Sequence, residues 1–176
     1  MKKLAVFLIT ILCAVTPCAS QDAASAKAFM DSAFQLYQHK GHGISGKILE
    51  NRFIHSSLLA LVKEDFKIVA AAGTDEPYAG DYDFICDCQE YDGIWNLHMD
   101  IKVVSPELAY VTASFKLFDP KIPPNTDART IQYTLVPEQG QWKIYDYLLI
   151  IPAADGISFR KGLQKDIVFY SNPPKP

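Results

Sequence analysis

The sequence predicts an α+β fold: N-terminal helices packed on a curved, four-stranded antiparallel sheet, with a further helix at the C-terminus. Three observations carry this. Apolar residues recur at helical spacing through the first part of the chain. The period then changes to two over four successive segments between Leu97 and Leu148. The helical segments come before the run of strands and do not alternate with it, which separates α+β from α/β organisation.

The first helix is expected over Ala23 to Gln38, where Phe29, Met30, Ala33, Leu36 and Tyr37 share one side and Gly41-His42-Gly43 ends it. A second is expected from about Asn51 to Ala72. Ile54, Leu58, Leu61, Val62 and Val69 trace its inner stripe, Asp65 is a polar intruder in it, and Gly73 stops it. Residues 73 to 93 form a long connection with Asp75, Glu76, Asp81, Asp83, Asp87, Glu90 and Asp92 and no Lys or Arg.

Four strands follow, each with one face expected to be buried. Leu97, Met99, Ile101 and Val103 alternate with His98, Asp100 and Lys102. Val111, Ala113, Phe115 and Leu117 alternate with Thr112, Ser114 and Lys116. Ile131, Tyr133 and Leu135 alternate with Thr130, Gln132 and Thr134. Trp142, Ile144, Asp146 and Leu148 alternate with Lys143, Tyr145 and Tyr147. Ser105-Pro106-Glu107 and Glu138-Gln139-Gly140 read as hairpin turns, and Asp119 to Thr126, with three prolines, as a longer loop. Ser158 to Tyr170 reads as the closing helix, weakened by Gly162, and residues 173–176 as a frayed tail.

Residues 1–20 have the form of a secretory signal peptide. Lys2 and Lys3 precede an apolar run from Leu4 to Val15, too short to span a bilayer, and small residues follow at Cys18, Ala19 and Ser20. Cleavage after Ser20 fits. The alternative is lipoprotein processing with Cys18 as a lipid anchor, although Pro17 makes Val15-Thr16-Pro17 a poor lipobox. The expected organisation is a leader over 1–20 and one α+β domain over 21–172. The expected localisation is periplasmic or secreted, or membrane-anchored if Cys18 is lipidated. No transmembrane segment is expected in the mature chain.

Removing the leader takes away two of 17 basic residues and none of 20 acidic ones, leaving a net charge of −5. An acidic domain does not suit nucleic acid, whose phosphates demand a basic face. Two cysteines remain, Cys86 and Cys88. In an oxidising compartment they are expected to pair, provided the chain bends between them.

The helical start AFMDSAFQLYQ, the connection containing CDCQEYDG and the strand QWKIYDYLLI leading into a terminal helix occur in an order that resembles a known family. It is the secreted bacterial family catalogued as domain of unknown function 3828, similar in fold to the nuclear-transport-factor-two-like, or cystatin-like, superfamily. The resemblance implies a cystatin-like cone between sheet and helices. It implies no established activity, and fold alone does not carry function.

Asp146 and His98 are the candidate catalytic residues. A carboxylate on an apolar strand face must be paired, hydrogen-bonded or protonated. Asp146 is therefore either a pocket acid or base, or a carboxylate held by backbone amides or a tyrosine. His98 and Asp100 share a strand face and would form either a dyad or an exposed polar surface. Tyr82, Asp83, Asp87, Gln89, Asp92 and Trp95 are candidate binding residues, since aromatics interleaved with charge suit a protein interface. The acidic spacing does not match an EF-hand, the histidines show no zinc spacing, and no nucleophile elbow, P-loop or dinucleotide fingerprint occurs. No metal or cofactor is expected.

The expected function is that of an exported, non-catalytic binding or interaction domain, immunity-like or accessory to an envelope complex, with a protein partner or small ligand. The alternative is a small cone-pocket enzyme using Asp146 as acid or base. The intact mass of the exported chain is expected to correspond to a start at Gln21. A mass that includes an acylated Cys18 would replace free secretion with lipid anchoring.

Overall fold

A computed structural model describes residues 21–37, 52–73, 77–80, 83–89, 91–121, 127–151, 156 and 158–172. The expected leader and tail lie outside these residues. The elements are α1 (Ala23–Phe34), continued by a 3-10 turn over Gln35–Tyr37, then α2 (Ser56–Ala72), β1 (Trp95–Ser105), β2 (Leu108–Lys116), β3 (Ala128–Glu138), β4 (Gln141–Leu149) and α3 (Phe159–Ser171). The strands form one antiparallel meander in the order β1-β2-β3-β4. The predicted α+β fold is what forms.

Helix α1 starts at a reciprocal cap. The Asp22 carboxylate accepts from Ser25 N at 2.8 Å, and Ser25 Oγ accepts from Asp22 N at 2.9 Å. Ala26, Met30, Ala33 and Phe34 form its buried stripe. The Phe34 ring meets the edges of Phe115 at 5.4 Å and Tyr133 at 6.1 Å, so α1 lies directly on the inner sheet face.

Helix α2 begins at Ser56, later than its apolar pattern predicts, because the helical residues Arg52 and Phe53 are followed by a break. Ile54 forms a parallel bridge to Ile144, and His55 N donates to the Ile144 carbonyl at 2.9 Å, which draws these two residues onto β4. His55 then caps the helix, with Nδ1 accepting from Ser57 N at 3.1 Å. The far end is Gly73 in the left-handed conformation, φ 67°, as its composition predicts.

The inner face of the sheet carries Ala109, Val111, Ala113 and Phe115 from β2 and Ile131, Tyr133 and Leu135 from β3, as alternation predicts. Strand β4 departs from prediction. Leu135 pairs with Ile144, yet Thr134 pairs with Asp146, so Tyr145 is an extra residue in a bulge. The bulge reverses the alternation. Tyr147 falls opposite Tyr133 in the core, and Asp146 falls opposite Thr134 on the other face. Asp146 therefore does not share a face with Trp142 and Ile144. The β3–β4 hairpin closes through Gln139 and Gly140, both at positive φ (53° and 75°), the turn whose twist matches an antiparallel pair.

Helices α2 and α3 pack on each other beside the β4 edge. Asp65, the polar intruder, is fully buried between them. One carboxylate oxygen accepts from Ala79 N at 3.1 Å; the other faces the Asp166 carboxyl, whose Oδ2 is likewise buried. A proton held on Asp65 relieves the approach of the two carboxyls. Burial first, opposed by the Ala79 amide and reinforced by Asp166, raises the Asp65 carboxyl from 3.8 to about 6.

Between about pH 4 and 6 the native state thus holds on Asp65 a proton that the unfolded chain has released. Stability from this group is fully present below about 4 and is lost as pH rises through about 6. Asp65→Asn keeps an acceptor for Ala79 and needs no proton. Its melting temperature is expected to gain on that of the wild type as pH rises through this window. Parallel melting curves for the two proteins would show that Asp65 holds no such proton.

Candidate functional site

The described part of the acidic connection is tied into the domain: Ala79, Ile85, Cys86 and Cys88 are buried with the core. An irregular backbone in that position needs partners for its polar groups. Asp83 supplies them. Its carboxylate takes the Tyr37 hydroxyl at 2.5 and 2.6 Å, Ile85 N at 2.7 Å and Cys86 N at 3.2 Å. The Tyr133 hydroxyl donates to the Ile85 carbonyl, and the Tyr147 hydroxyl to Asp87 Oδ1 at 3.1 Å. Burial, then the nearby carboxylates, push all three tyrosines far above their usual pKa, so they remain donors.

Cys86 and Cys88 form a disulfide with a Cα–Cα distance of 5.2 Å. The bend this requires is made at Asp87, which lies at φ 48°. Asp87 and Gln89 then line an open cleft of about 310 Å³ with Leu117, Phe118, Asp127 and Arg129. Burial raises the Asp87 carboxyl, against the opposing pull of the Tyr147 hydroxyl and the Arg129 charge. Asp127 and Arg129 were not singled out from sequence, because the loop and strand start that carry them lie about forty residues away from Asp87.

Asp92 is structural. Its Oδ1 accepts from Trp95 Nε1 at 2.9 Å and its Oδ2 from Asp119 N at 3.3 Å, tying the start of β1 to the end of β2. Tyr82 lies outside the described residues. Asp146 accepts from Tyr147 N and from Arg160 N, both at 2.9 Å, and so satisfies an amide in the first turn of α3. His98 Nε2 lies 3.6 Å from Asp100 Oδ1, with both side chains about three-quarters exposed on the outer face. Among the described residues no group of three or more His, Cys, Asp and Glu could hold a metal ion, and no helix is long and apolar enough to cross a membrane.

Exposed large apolar side chains lie elsewhere: singly at Phe66 on α2 and Val104 on β1, at Ile150 and Ile151 after β4, and around α3. Val168 and Phe169 on α3 are 62% and 55% exposed, and Tyr78 is 42% exposed. A groove of about 540 Å³ runs along Lys161, Gln164, Lys165, Val168 and Phe169. A second depression shares Lys165 and Phe169 and reaches Tyr78. Tyr78 reaches α3 because residue 162 is glycine: a Cβ there would stand 2.0 Å from the tyrosine ring. The residue that weakens the helix in sequence is what lets the connection dock on it. The signal available in sequence was that Val168 and Phe169 fall off the stripe set by Phe159 and Leu163.

No protein-family profile matches the chain, and no curated protein matches it. Among solved structures, a chain of the type VI native effector-immunity complex Tae3-Tai3 from Ralstonia pickettii is similar to it. The identity is 18% and the TM-score 0.49, over 76% of this chain and 100% of that one.

Asp83→Ala removes the acceptor of a hydroxyl and two amides at once, and is expected to lower stability by about 3 kcal/mol or more in urea unfolding. Tyr37→Phe, which loses one bond to a charged group, is expected to cost about 1.5–3 kcal/mol. The double variant is expected to fall short of the sum. Strict additivity would show that the two residues do not act through each other.

Proposed function

We propose that this chain is an exported, non-catalytic domain that binds a protein partner in the cell envelope, in an immunity-like or accessory role. The observation that carries the reading is the apolar strip of Tyr78, Val168 and Phe169, bordered by Lys161 and Lys165. Large apolar side chains left exposed together, with a polar rim, mark interaction surfaces. Two aromatic rings supply rigid area at low entropic cost, and the lysines favour a partner that presents acidic groups around an apolar centre.

The hydrogen bonds of the acidic residues support the same reading. Asp83, Asp92 and Asp146 are spent on backbone and ring donors inside the domain. The centre of the cone is occupied by Phe34, Tyr37, Phe115 and Tyr133. Export agrees with the leader-like residues 1–20 and with a Cys86–Cys88 disulfide, which oxidising compartments preserve.

A photo-crosslinking side chain placed at Val168 is expected to trap one defined protein adduct in envelopes. Phe169→Glu is expected to abolish that adduct and to change stability by no more than about 0.5 kcal/mol, as at other exposed positions. No adduct at Val168, or the same adduct from a crosslinker at Thr112 on the outer sheet face, would remove this surface from the function.

A further inference from the structure

The two edges of the sheet differ. On β4, Ile54 bridges to Ile144, and α2 and α3 stand beside the strand. On β1, every backbone ladder bond among the described residues runs to β2, and the other edge pairs with none of them. Alternate side chains along β1 are exposed throughout, from Asn96 to Val104. Its inner-face residues Leu97, Met99, Ile101 and Val103 are only partly buried, so the apolar core reaches this edge without being closed there. Proteins protect such an edge with proline, edge charges, bulges, an inward-pointing charge or a very short strand. Over its 11 residues β1 has no proline and no inward-pointing charge; its register shifts lie at its two ends, and its edge charges are Asp100 and Lys102 in the middle.

We propose that β1 pairs with β1 of a second copy of this chain, antiparallel and about a two-fold axis at Ile101, making one continuous eight-stranded sheet. Charge pattern selects the partner and the register. With Ile101 opposite Ile101, each Asp100 lies opposite the other copy's Lys102, giving two cross-strand pairs of opposite sign on the outer face. On the inner face, Met99 lies opposite Val103 and the partly buried apolar row becomes continuous across the axis.

The neighbouring registers fail on the same residues. Centring on Asp100 or on Lys102 sets like charges against each other across the axis. Centring on Met99 brings Asn96, which lies at φ 54° beside a register shift, into the new ladder. A symmetric pairing of this kind is isologous and closes at two copies.

The test is sedimentation equilibrium of the purified chain over a concentration series, with melting temperature as the control for folding. The wild type is expected to be a monomer–dimer system. Asp100→Lys and Lys102→Asp each convert two attractive pairs into two repulsive ones, and each is expected to weaken self-association by about tenfold or more. An equimolar mixture of the two variants restores both attractive pairs, and is expected to form a mixed dimer at wild-type strength. A wild type that stays monomeric overturns the proposal, including where the free edge takes a strand from a different protein. A dimer indifferent to both single changes, or a mixture that does not recover, overturns it equally.

Discussion

Most of this structure depends on Asp83 meeting the Tyr37 hydroxyl. The connection between α2 and β1 is irregular, yet it lies against the core, where unpaired amides and carbonyls are costly. One carboxylate takes two backbone amides and a hydroxyl, and two more hydroxyls, from Tyr133 and Tyr147, reach the same turn. The turn held in this way is the one closed by the Cys86–Cys88 disulfide. Neighbouring aromatics then stand where α3 can dock. Phe159 stacks on Tyr147 at 4.7 Å, with Phe84 at its edge and Tyr78 beside it.

Carboxylates serve the fold a second time at the helix starts. Glu138, at the β3–β4 turn, accepts from the Ser56 hydroxyl and amide at the start of α2, and that hydroxyl holds its pKa below the usual range, opposed by partial burial and helped by His55. Asp146, two residues from the end of the β4 bulge pairing, does the same for Arg160 in α3. A helix N-terminus favours a negative charge because its first amides lack partners. The sheet therefore sets where both helices begin. Among the described residues Asp65 is the one fully buried acid, while Asp83, Asp92 and Asp146 are half-buried and engaged by donors of the domain itself.

The two sheet edges show how unevenly the molecule closes itself. The β4 side is sealed three ways, by a bridged strand residue, by α2 and by α3. The β1 side ends the core on a row of half-buried aliphatics. Among the described residues, none pairs with the outer edge of β1.

By itself the sequence determined the elements whose signal is local. Period-two alternation set β1, β2 and β3 on their correct faces, Gly73 and Gly140 marked a helix end and a hairpin, and C-x-C with one residue between required the bend that Asp87 makes. Those features depend on neighbours a few residues away. The tertiary structure decided the rest. Whether Ile54 and His55 join a helix depended on Ile144, some ninety residues on. Whether Asp146 faces the core depended on one extra residue at Tyr145, which reverses every side chain after it. Asp83, Asp87 and Asp92 read as surface because acids usually are. Only the convergence of Tyr37, Tyr147 and Trp95 from three separate segments supplies the side-chain donors that let these acids be half-buried, and no local pattern records that convergence.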